Sequence, residues 1–95
     1  AAVLHRALAS TKEDLQRGTR DTMELQNTLR RILGSEPLAR VDYAEIVDAE
    51  SFEPVVRVSR PCYVLLAVYL GKTRLIDNML IEPRENASDD FVFHL

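Results

Sequence analysis

Residues Tyr63–Ile81 read YVLLAVYLGKTRLIDNMLI, two apolar runs that meet at Gly71-Lys72. Each run has strand length and is rich in Val, Ile, Leu and Tyr. A two-residue loop with glycine first predicts a type II′ hairpin, because glycine alone takes the required positive φ without steric cost. With that loop, Leu70 pairs with Thr73, Tyr69 with Arg74, Leu66 with Asp77 and Leu65 with Asn78. One face then carries Val64, Leu66, Val68, Leu70, Thr73, Leu75, Asp77 and Met79. The other carries Tyr63, Leu65, Ala67, Tyr69, Arg74, Ile76, Asn78 and Leu80.

That register has consequences for three polar residues. Arg74 and Asp77 fall on opposite faces, so they cannot form an ion pair within the strand. Asp77 sits on the nearly all-aliphatic face that should meet the rest of the core. A carboxylate there needs donors or a cation, since desolvating it alone is costly. Asp77 is therefore expected to be a structural acceptor of hydrogen bonds, with ligand binding as the alternative. Asn78 and Arg74, on the amphipathic face, are the candidates for facing a substrate. Arg74 can also stack across the strands on Tyr69.

Upstream of the hairpin the period is helical. Leu4, Leu8, Thr11 and Leu15 form one stripe, with Gly18 as a stop. Asp21 opens a second helix with Glu24 in its first turn, an apolar stripe of Leu25, Leu29, Ile32 and Leu33, and Gly34 as its end. So short a link predicts an antiparallel helical pair. Val41–Val47 (VDYAEIV) reads as a strand, Asp48–Ser51 as a turn, and Val55–Ser59 is ambiguous up to Pro61. The expected fold is α+β: the helical pair on a small three-stranded antiparallel sheet that ends in the hairpin. Residues 1–82 form the domain, and 83–95 form a tail that is either disordered or an extra edge element.

Composition excludes several functions. The chain has 95 residues and a net charge of −3, so it has no basic field for nucleic acid or anionic lipid. Its one cysteine, Cys62, permits no internal disulfide and reads as a small core residue of a cytoplasmic protein. No apolar run is long enough to span a bilayer. The three glycines are isolated, so there is no phosphate-binding loop. His5 and His94 have no cysteine or carboxylate cluster at ligand spacing, so no metal site is expected. No residue set here makes a catalytic site.

Two segments do carry a family likeness. Asp42, Tyr43, Glu45 and Asp48 (DYxExxD), followed by Phe52-Glu53-Pro54, and then Gly71–Asn78 (GKTRLIDN), resemble the C-terminal domain of the pantoate–β-alanine ligases. The two helices, beginning LHRAL, match the segment that precedes it. The likeness covers roughly residues 1–82 and implies a ligase that makes pantothenate for the coenzyme A pathway. Such an enzyme adenylates pantoate with ATP and Mg²⁺, after which β-alanine attacks the pantoyl adenylate and AMP leaves. The resemblance also implies a partner in the same polypeptide, an N-terminal nucleotide-binding domain that carries the catalytic residues. This chain would begin just after that domain, act as a lid over its cleft, hold no cofactor itself and be inactive alone. The full protein would be a homodimer joined mainly through the other domain. A different class of reading is a stand-alone interaction or regulatory domain that uses its hairpin face or edge strand.

Overall fold

A computed structural model gives the architecture, describing residues 2–84 and 87–95 with the side chains at 84 and 87–90 excepted. Helix α1 (Ala2–Gln16) and helix α2 (Thr22–Gly34) precede four strands: β1 (Ala39–Asp48), β2 (Cys62–Leu70), β3 (Thr73–Arg84) and β4 (Ala87–His94). The strands form one antiparallel sheet in the order β1-β2-β3-β4. The sheet thus has four strands where three are expected, and the Gly71-Lys72 hairpin sits at its centre. The fourth strand comes from the tail, whose short apolar end FVFHL gives little periodicity on its own. The expectation of disorder there falls partly on residues 85 and 86, outside the described residues.

The helices follow from their stripes. Leu4, Leu8, Thr11 and Leu15 are all buried in α1, as are Leu25, Leu29 and Leu33 in α2. Gly18 takes φ +103 just beyond the end of α1, a value that favours glycine. Asp21 caps α2 by accepting the Glu24 backbone N–H. Gly34 is still helical, and the cap is Ser35 in the right-handed region, with its N–H on the Ile32 and Leu33 carbonyls.

The hairpin register is the expected one at every position from Leu70↔Thr73 to Tyr63↔Leu80. Gly71 has φ +63, the positive value a two-residue loop demands of its first residue. Val64, Leu66, Val68 and Met79 are buried on the face that meets the helices, with Ala44, Ile46 and Ile81 beside them. Cys62 is wholly buried in the same core. Burial, with Asp48 nearby as a lesser cause, pushes its thiol pKa up. Its thiolate is therefore suppressed at neutral pH.

The β1 edge of the sheet is shielded by helix side chains. Along β1, Gln26 of α2 donates to the Ala44 carbonyl and to Glu45 Oε2, both at 3.0 Å. Arg30 lies 3.7 Å from Glu45 Oε1. Helix side chains thus shield a strand that could otherwise pair with another chain. The opposite edge is β4 itself, which pairs with β3 and packs Phe91 and Phe93 against the core.

The ambiguous stretch 55–59 forms no strand and clasps the link between the helices. Val58 N–H donates to the Arg20 carbonyl, Thr22 N–H to the Val56 carbonyl, and Thr22 Oγ1 to the Val55 carbonyl. Asp48 anchors the turn that leaves β1. Its Oδ1 accepts the backbone N–H groups of Glu50 (2.8 Å) and Ser51 (3.1 Å), and Arg60 stands 3.4 Å from Oδ2. Those hydrogen bonds, first to Glu50 and then to Ser51, hold its pKa below the ordinary 3.8. A carboxylate lowered on folding stabilises the native state above its unfolded pKa, and that help is lost as pH falls through the folded value. Urea midpoints for Asp48→Asn should therefore lie below those of the unaltered chain at pH 7. The two series should converge as the pH drops below about 3.8, and a constant gap down to pH 2 would show that the Asp48 charge is not involved.

Candidate functional site on the open face of the sheet

The face of the sheet away from the helices is uncovered, and the site is built on it. The bulge in β1 decides what stands there. Val41 pairs with Val68 and Tyr43 with Ala67, so Asp42 is the extra residue and has no partner in the ladder. A bulge re-aims the side chains around it. Here it presents Asp42 to Arg74, two strands away on β3.

Arg74 Nε and Nη2 donate to Asp42 Oδ2 at 3.1 and 2.9 Å. The side chains are 42% and 37% exposed, so solvent screens the pair, and its worth is small. What it does is orient the guanidinium, which lies 5.6 Å from the Tyr43 ring centroid. Donation to Asp42 raises the pKa of Arg74 further above its already high value. The expected stacking of Arg74 on Tyr69 is not found, because Arg40 covers that ring at 4.9 Å. Cross-strand pairing alone permits either arginine, since Tyr69 neighbours both Arg40 and Arg74. The bulge settles it by giving Arg74 a carboxylate.

Asn78 lies two positions beyond Ile76 on the same face and is exposed; Ile76 is 56% exposed. Asn78 donates its backbone N–H to Asp77 Oδ1 at 2.9 Å. Its carboxamide makes no hydrogen bond among the described residues. Asp77 points to the helix-side face as expected, but it is half-buried, with Leu75 half-buried and Met79 buried on either side. The enclosed core carboxylate foreseen from the register is therefore corrected to one still in contact with water. Its hydrogen bond is to the next residue along the chain.

The open face continues toward the far end of β2. Phe52, in the connection after β1, stacks on Tyr63 with ring centroids 5.6 Å apart and planes within 4°. Phe52 adopts φ +58, an uncommon conformation for a side chain of this bulk. Sequence reasoning missed this contact and the Asp42–Arg74 pair, both of which depend on long-range placement. The DYxExxD pattern singles out Asp42 but not its partner.

The described residues contain no group of three His, Cys, Asp or Glu side chains able to hold a metal ion. That donor set does not fit Mg²⁺. No helix among the described residues is long and apolar enough to cross a membrane.

These features define an α+β domain that closes one sheet face with helices and presents the other, studded with arginine, tyrosine and asparagine. Comparison with known proteins places it. The family profile Pantoate-beta-alanine ligase matches residues 1–80, and the chain belongs to that family. It is 44% identical over 82 residues to the pantothenate synthetase of Heliobacterium modesticaldum, covering 86% of this chain and 29% of that protein. It is 42% identical over 81 residues to the pantothenate synthetase of Fervidobacterium nodosum, covering 85% of this chain and 29% of that protein. Among solved structures, pantothenate synthetase from Thermus thermophilus superposes with a TM-score of 0.73 at 30% identity. That match covers 80% of this chain and 27% of the other. The chain therefore spans less than a third of the length of these relatives.

Proposed function

We propose that this chain is the C-terminal domain of a pantoate–β-alanine ligase and serves as a lid over a nucleotide-binding domain in the same polypeptide. The observation that carries the reading is the pairing of a family match over residues 1–80 with coverage of only 29% of its relatives. In that enzyme ATP adenylates pantoate, pyrophosphate leaves, and the amine of β-alanine attacks the pantoyl carbonyl to give pantothenate and AMP. The acyl adenylate is hydrolysable, so excluding water from the closed site favours the amine over water as the nucleophile.

The residues available for that task are Arg74 and Asn78, which share the uncovered face, with Arg74 pre-oriented by Asp42. Asp77 acts through the backbone of Asn78. ATP, Mg²⁺, pantoate and β-alanine belong to the longer protein, as does any homodimer. The purified 95-residue chain should release no AMP from pantoate, ATP, Mg²⁺ and β-alanine, whereas the longer protein carrying it should. Turnover by the 95-residue chain would overturn the proposal.

A further inference from the structure

A separate cavity lies between the α1–α2 link, residues 57–59 and the paired Pro83 and Phe91 of β3 and β4. It is a cavity of ≈ 380 Å³ lined by Gly18, Arg20, Arg57, Val58, Ser59, Pro83 and Phe91. In a chain of net charge −3 this cavity holds two arginines and a hydroxyl, and no carboxylate among the described residues lines it.

Arg20 is the decisive residue. It is only 8% exposed, and its guanidinium lies 4.4 Å from the Phe91 ring centroid. Nη1 donates to the carbonyls of Leu15 (2.7 Å) and Thr19 (3.1 Å). Nη2 is buried and has no hydrogen-bond partner, the one such side-chain atom among the described residues. A buried cationic donor without an acceptor is unfavourable and calls for an explanation. The carboxylate nearest in sequence, Asp21, is turned to the N-terminus of α2. Arg57 is exposed at the rim and forms no ion pair among the described residues, and Ser59 stands exposed beside it.

We infer that this cavity binds a phosphate-class oxyanion, either the free ion or the monoester of a small molecule. Arg20 supplies a fixed positive charge at the floor, and Arg57 and Ser59 donate to the anion from the rim. The fork of Arg57 suits such oxygens, and the buried charge of Arg20 attracts the anion more strongly than an exposed one would. Donors from separate segments favour a tetrahedral anion over a planar carboxylate. The site is independent of the lid reading.

The test is a titration of the 95-residue chain, which closes its own core, with inorganic phosphate at ionic strength held constant with chloride. The ¹H–¹⁵N spectrum is read, including the Arg20 Nε–H signal. Saturable shifts at Gly18, Arg20, Val58 and Ser59 are expected, with affinity about tenfold weaker in Arg57→Ala. Arg57 is exposed, so that variant keeps the fold. Acetate should bind more weakly than phosphate. A parallel titration with glycerol phosphate separates the sources: tighter binding assigns the site to a monoester, and equal binding to the free ion. Shifts that never saturate, match those from acetate, or survive Arg57→Ala unchanged would overturn the site.

Discussion

Leu66→Ala should destabilise the domain by about 2–5 kcal/mol, a large share of the roughly 5–15 kcal/mol available to a domain of this size. Leu66 is completely buried on β2, between Ala44 of β1 and Asp77 of β3. Its truncation leaves a void under the helices that a sheet fixed on both sides cannot close by moving. At about 4–8 °C per kcal/mol, the melting temperature should fall by about 10 °C or more. Ile76→Ala is the control, because Ile76 lies on the open face of the adjacent strand and is 56% exposed. It should change stability by about 0.5 kcal/mol or less. Equal losses from the two substitutions would mean that the helices do not cover the face assigned to them.

Removal of residues 87–95 is expected to be at least as damaging, although this segment lies beyond the family match at residues 1–80. Strand β4 contributes Phe91, buried to 7% exposure, and Phe93 at the margin of the core. It also supplies the aromatic faces under Arg20 and Lys12 and the ladder along Leu80–Pro83. Loss of one buried Phe alone costs about 3–5 kcal/mol. The truncation also bares the β3 edge next to Met79 and Ile81, and an unpaired edge of this kind templates association. The shortened chain should melt far lower and sediment as concentration-dependent oligomers. A monomer with an unchanged melting temperature would show that β4 is dispensable.

These two expectations separate what the sequence carries locally from what only assembly decides. The hairpin is legible because a two-residue glycine loop and strict two-residue alternation both specify one register, and a one-residue slip would turn Leu66 and Val68 to solvent. The helices are legible for the corresponding reason, with apolar stripes and an Asp21 cap in agreement. The fourth strand is legible only as one of two alternatives for the tail, since FVFHL is too short to show a period and follows a polar run. Its place depends on a free edge of β3 that another segment creates.

The candidate site was legible in its residues but not in its contacts. Arg74 and Asn78 fall on one face by alternation alone. Which carboxylate or ring Arg74 meets depends on the bulge at Asp42, and no feature of VDYAEIV announces an extra residue in the ladder. The burial of Asp77 was overestimated because strand alternation gives the face and not the extent of helix cover along it. Arg20 gave no signal at all, its partners being main-chain carbonyls and a ring on the last strand.

Asn78→Ala in the longer protein shows whether the open face closes over a reactive adenylate. Its carboxamide holds no hydrogen bond among the described residues, so the substitution should leave the melting temperature unchanged while altering the surface presented to the cleft. The quantity to measure is AMP released per pantothenate formed, at limiting β-alanine. The lid account predicts that this ratio rises above that of the unsubstituted enzyme, because adenylate is lost to water. A ratio and turnover equal to the unsubstituted enzyme's would contradict it.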